Sequence, residues 1–190
     1  MQKIDLHQNI INSFKGKLED FQNYTTETKD SLANLQWLSK GIKNSWWLID
    51  YKLADLQVVG VTVWPFERVQ DPTNPTKFIN KYSEKAFEEN FAAYEKLRKQ
   101  NNIKLINNKE DLSETKYMDY QLNFFYKLVG GDGIKSTADI DKIYNKGIRI
   151  IQFVDDQNNA LCSCHKTSEG GLTQLGKDII VYMESKNMIV

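Results

Sequence analysis

The chain has 190 residues, 41% of them hydrophobic and 12% aromatic, enough to fill the core of one domain and too apolar for a disordered chain. Lys plus Arg equals Asp plus Glu, 25 against 25, so the charge balance gives no reason to expect a nucleic acid or an anionic membrane as partner. Its longest apolar cluster, Val58 to Phe66, is broken by Gly60 and Pro65 and is far too short to span a bilayer. The N-terminus lacks the charged, apolar and small-residue succession of a signal peptide. The two cysteines, Cys162 and Cys164, are too close in sequence to staple a fold, and together these features predict a cytoplasmic location.

Taken in order, Lys3 to His7 alternates apolar and polar residues and reads as a first strand, with Asp5 and His7 sharing a face near its end. Asn9 to Lys43 is helical in pattern but uneven, with Leu32, Leu35, Trp37 and Leu38 as core contacts, and Leu48 to Leu56 reads as a further helix. Val58 to Trp64 is a second strand that ends in a turn at Pro65. The loop Gln70 to Thr76, with Pro72 and Pro75, leads into a predicted helix over Phe78 to Gln100. Ile79, Tyr82, Ala86, Phe87, Phe91, Tyr94 and Leu97 would form its apolar face.

Ile103 to Ile106 is a short third strand, Lys109 to Glu114 a helical turn, and Gln121 to Val129 a fourth strand followed by the turn-forming Gly130, Gly131 and Gly133. A helix over Thr137 to Lys146 carries Asp139 in its first turn, where a carboxylate suits the positive helix end, and Gly147 follows as its stop. Ile148 to Val154 is β-branched, as a strand buried on both faces should be. A last helix begins near Thr173, with Leu175, Ile179, Ile180 and Met183 on one face, before the apolar run Met188 to Val190. Strands alternating with helices predict an α/β fold with a mainly parallel sheet in a single domain over residues 1–190.

Several motifs carry a resemblance. Asp5-Leu6-His7-Gln8-Asn9 is similar to an Asp-x-His-x-Asp strand end, Leu53 to Val61 to a Leu-x-x-Gly-Gly-Val-Gly stretch, and Val129-Gly130-Gly131-Asp132 to Glu-Gly-Ala-Asp. Gly147-Ile148-Arg149 resembles Gly-Val-Arg, Phe153 to Asn159 resembles Leu-Thr-His-Asn-x-Asn-Asn, and Gly171-Leu172-Thr173-Gln174-Leu175-Gly176 fits Gly-Leu-Thr-x-x-Gly. In this order they resemble the membrane (renal) dipeptidase family, zinc peptidases of the amidohydrolase type. The resemblance implies a partial (half) TIM-type β/α barrel, because the matched motifs belong to the N-terminal half of a family member and a whole barrel takes about 250 residues.

It also implies a site. His7 falls on a family metal histidine, Asn9 on a carboxylate ligand, Val129 on the glutamate that bridges two zincs, and Asp155 on a histidine that helps to hold the substrate. Asp5 and His7 are the metal-side candidates with Asn9, and Asp155 is the candidate contact to a dipeptide. An amide at position 9 brings no charge and a valine at 129 has no lone pair, so the expectation is a dipeptidase-like chain, truncated and impaired in zinc binding and hydrolysis. Two alternatives stand beside it: a component of an active metallodipeptidase completed by a second chain, and a non-enzymatic α/β binding domain. An open half-barrel would leave strand edges unpaired, so self-association or a partner chain is expected.

Blander readings compete at each candidate. Asp5 and His7 fit a hydrogen-bonded pair at a strand end, and Asp155 with Asp156 a solvated loop. Cys162, Cys164 and His165 lack a second Cys/His pair at zinc spacing and read as loop thiols beside a histidine. No Gly-Lys-Ser/Thr follows the glycines, so they make turns, and Trp37, Trp46 and Trp47 read as core and interface aromatics.

Overall fold

The computed structural model describes residues 4–8, 57–113, 122–155, 157–164, 166 and 170–190, and for residues 5–8 the backbone alone. The helices expected within residues 9–56, and Trp37, Trp46 and Trp47 with them, lie outside the described residues. The strands are β1 (Ile4–Gln8), β2 (Val58–Val63), β3 (Phe66–Asp71), β4 (Asn74–Tyr82), β5 (Lys104–Leu105), β6 (Asn123–Val129) and β7 (Ile148–Gln152). The helices are α1 (Glu84–Gln100), α2 (Lys109–Ser113), α3 (Thr137–Asn145) and α4 (Gln174–Ser185). One sheet has the order β1-β2-β6-β5, with β7 also paired to β6, and β3 and β4 form a separate two-stranded sheet.

The pairings β1–β2, β5–β6 and β6–β7 are parallel, and Ile189 adds a parallel bridge to Ile150. Strand–helix alternation around this mainly parallel sheet is an α/β architecture, a partial TIM-type β/α barrel. None of the described helices is long and apolar enough to cross a membrane.

By its contacts the chain divides into two compact units, Met1–Val61 with Ala92–Phe124, and Thr62–Phe91 with Phe125–Val190. In the first, the buried Asn123 at the start of β6 donates both its backbone N–H and its Nδ2 to the carbonyl of Gln57, each at 2.9 Å. The carbonyl therefore stays satisfied at a point where no water reaches it. Tyr94 and Leu97 of α1 are fully buried in this unit, with Phe124 of β6.

The second unit holds the β3–β4 hairpin, and here the sequence expectation needs correction. The helix predicted from Phe78 begins at Glu84, and Phe78, Ile79 and Tyr82 belong to β4, paired antiparallel with Gln70, Val69 and Phe66. Phe78, Ile79 and Tyr82 keep a helical spacing, and cross-strand pairing overrides it in favour of the strand. Ser83 then opens the helix, its hydroxyl accepting the N–H of Ala86 at 3.2 Å.

α3 and α4 follow the sequence closely. The Asp139 carboxylate accepts the N–H groups of Lys135 and Ser136, each at 3.0 Å, and Gly147, at φ +86°, turns the chain out of the helix into β7. In β7, Ile148 and Ile151 are fully buried while Ile150 is half-buried, so burial on both faces is incomplete. Thr173 caps α4, its hydroxyl accepting the Gly176 N–H at 3.0 Å and donating to the carbonyl of Ala160 at 2.7 Å. A Cβ on Gly176 would lie 2.1 Å from the Leu161 carbonyl oxygen. The Thr-x-x-Gly spacing thus caps the helix and lets its first turn press against the preceding loop.

Between α3 and α4, the Asp141 carboxylate accepts Lys186 Nζ at 2.6 Å and the Tyr182 hydroxyl at 2.9 Å. These bonds, Lys186 first, hold Asp141 below its ordinary value of 3.8, and Asp141 raises Lys186 above its ordinary 10.5. The carboxylate side of the pair stabilises the fold above the unfolded carboxylate value and loses that effect as pH falls through the folded one. The ammonium side stabilises it below pH 10.5 and loses that effect as pH rises through the raised value.

Two outcomes are expected. Gly176→Ala should destabilise the chain by about 1–3 kcal/mol in urea titrations, the clash outweighing the gain in helix propensity of about 1 kcal/mol. Asp141→Asn should lower Tm at neutral pH, and the gap to the parent protein should close as the pH falls below the carboxylate range, measured by thermal melts across pH.

Candidate active-site end of strands β6 and β7

Residues alternate across β6, and the contacts fix which face is which. The Tyr126 ring meets Phe91 of α1 edge-on at 5.3 Å between centroids, so Tyr126 and its same-face neighbour Leu128 point to the helices. Lys127 and Val129 point the other way. In the register of β6 with β7, Lys127 lies beside Ile150 and Val129 beside Gln152. Burial holds the Lys127 ammonium below its ordinary value.

The ladder continues past the strand ends. Gly130 N–H donates to the Gln152 carbonyl at 2.8 Å and Gly131 N–H to that of Phe153 at 2.7 Å. Gly130 has φ +87°, and a Cβ there would lie 2.2 Å from the Phe66 ring, so conformation and space both require glycine. The glycines are turn-formers, as their sequence suggests.

Beyond them, Asn159 ties the two loops together. Its Nδ2 donates to the Phe153 carbonyl at 2.6 Å and to Asp132 Oδ2 at 3.3 Å, while its Oδ1 accepts the N–H groups of Leu161 at 2.9 Å and Cys162 at 3.2 Å. Gln157 Nε2 donates to the Asn80 carbonyl of the hairpin at 3.0 Å. The sequence marks Asn159 only as part of a motif. Its role as a clasp between chain segments is a tertiary fact.

The candidate residues divide accordingly. Asp155 is half-buried in the loop after β7, and Val129, only 2% exposed, ends the neighbouring strand, so the fold brings these two positions to adjacent strand ends. Asp5 and His7 lie on β1, where Asp5 pairs through its backbone with Val59, and their side chains are outside the described residues. Asn9, Asp156 and His165 are outside them too. Cys162 and Cys164 are buried thiols. Burial, then the charges of Asp132 and Cys164, push the Cys162 thiol up, which suppresses its thiolate form.

The family model of membrane dipeptidases, peptidase family M19, matches residues 11–190. The chain belongs to the membrane dipeptidase family. Among solved structures it resembles an amidohydrolase from Pseudomonas aeruginosa, with a TM-score of 0.58 and 16% identity over 73% of this chain and 38% of that one. The chain thus spans less than two fifths of that structure's length, and likeness at such identity shows the β/α fold. No curated protein matches the chain. The motif resemblance therefore identified the right family.

Members of this dipeptidase family are zinc-dependent. Among the described residues no three His, Cys, Asp or Glu side chains gather closely enough to hold a metal ion, and the side chains of the metal-side candidates Asp5, His7 and Asn9 lie outside them. Val129 offers methyl groups at the strand end where the motif match expects a carboxylate. Asp132 is hydrogen-bonded to Asn159, and the Cys162 thiol is held protonated.

The thiols give a direct check on this packing. In the folded chain both should react with a disulfide reagent at least about tenfold more slowly than in denaturant at the same pH, followed by absorbance of the released thiolate.

Proposed function

We propose that this dipeptidase-family chain does not hydrolyse dipeptides by itself and keeps the family's strand-end architecture as a binding surface for a dipeptide-sized ligand. Val129 carries the reading. Its buried side chain stands beside Gln152, at the position where the motif match puts the metal-bridging glutamate. Bridging two zincs takes a lone pair on each of two oxygens, and a valine has none. The motif match adds Asn9, an uncharged amide in place of a carboxylate ligand, and Asp155, an acid in place of the substrate-holding histidine. An acid at 155 would favour the ammonium end of a dipeptide over its carboxylate.

His7 remains as the one family metal ligand matched within the chain, with Asp5 on the same strand. A single imidazole holds one divalent ion weakly at best and leaves no partner to share a bridging water.

The test is metal analysis of protein purified from zinc-supplemented cells, paired with turnover of a panel of L-dipeptides. Fewer than two zincs per chain and no hydrolysis above the buffer rate are expected, with folding checked by circular dichroism. Two tightly held zincs together with dipeptide turnover would overturn the reading.

A further inference from the structure

On the helix side of β6, away from Val129, a pocket of about 280 Å³ opens between α1 and α3. Phe87, Leu128, Ile134 and Ile143 give it an apolar floor. Both charges line it, with Glu84 and Glu88 on α1 facing Asp139 and Lys142 on α3 and Lys146 at the end of that helix.

The charges differ in how firmly they are held. Lys146 Nζ contacts Glu88 at 2.7 Å and also lies over the rings of Phe87 and Phe91, at 5.5 and 4.8 Å. It is anchored. Among the described residues Lys142 reaches only Asp139, at 3.4 Å, and its side chain is 76% exposed. Asp139 already accepts two backbone N–H groups at the start of α3, so it holds Lys142 loosely. Across the pocket, Glu84 accepts the Tyr82 hydroxyl, whose phenol is pushed up by burial and then by Glu84 itself. That phenol stays protonated and donates to Glu84 on the wall.

We propose that this pocket binds a free α-amino acid with a large apolar side chain. The ligand carboxylate meets Lys142, its ammonium meets Glu84, and its side chain covers Leu128, Ile134 and Ile143. The size favours this class: ligand pockets for drug-sized molecules begin at about 300 Å³, so the cavity suits one amino acid better than a longer peptide. Charge selects further. A simple anion would face three carboxylates, Glu84, Glu88 and Asp139, against two lysines, and a simple cation would face the like charges of Lys142 and Lys146. A zwitterion satisfies both charges. The proposal stands on the pocket alone and does not depend on the metal content or hydrolytic activity of the strand ends.

Calorimetric titration of the intact chain with L-leucine and L-phenylalanine tests it, with N-acetyl-L-leucine and L-leucinamide as the compounds that lack one charge. Saturable binding of the free amino acids is expected, weakened at least about fivefold by either cap, as the loss of one partly exposed ion pair predicts. Lys142→Gln, at an exposed side chain that leaves folding intact, should weaken L-leucine binding by a similar factor, and Glu84→Gln should do the same. Absence of saturable binding to both amino acids would overturn the proposal, as would capped compounds binding equally well or an unchanged affinity in Lys142→Gln. Zinc and turnover measurements bear on the strand ends and leave this outcome untouched.

Discussion

Two hydrogen bonds, from the N–H groups of Gly130 and Gly131 to the carbonyls of Gln152 and Phe153, fix the course of the chain beyond strands β6 and β7. They extend the parallel β6–β7 ladder beyond the regular strands and so set where both following loops begin. A side chain at Gly130 would strike the Phe66 ring, so the hairpin that starts at Phe66 packs against the turn only because the turn is bare. Asn159 completes the arrangement by bonding to Phe153 and Asp132 at once. Backbone polar groups at these strand ends are satisfied within the protein, which gives the loops a defined course.

The alternation of β6 divides two kinds of chemistry between its faces. Leu128 faces the helices and lines the floor of an apolar pocket with charged walls, Tyr126 packs on the same side against Phe91, and Lys127 and Val129 face the opposite side. A one-residue shift in register would exchange these sets. The bridge from Ile189 to Ile150 and the pairing of Val129 with Gln152 hold the register that keeps them apart.

Gly130, Gly147, and the Thr173 to Gly176 cap each satisfy a steric or hydrogen-bonding demand of the fold. Metal ligation makes a different demand, for lone pairs at fixed points. Val129 meets the first kind of demand without meeting the second. The cysteines are a similar case, since they are buried as small apolar groups, and the raised Cys162 pKa removes the ionised form that metals and electrophiles need.

The sequence by itself determined the alternation of strands and helices, the positions of β2, β6, α3, β7 and α4 to within a few residues, and the family. Each of these rests on local signals: β-branched runs, the Ser136 to Asp139 cap, a glycine at a helix end. It missed the β3–β4 hairpin, because Phe78, Ile79 and Tyr82 keep a helical spacing and only the register against Phe66 to Gln70 reveals the strand. The clasp at Asn159, the pairing of Lys127 with Ile150 and the opposed walls of the α1–α3 pocket came only from tertiary structure, since each joins residues far apart in the chain whose meeting no local pattern encodes.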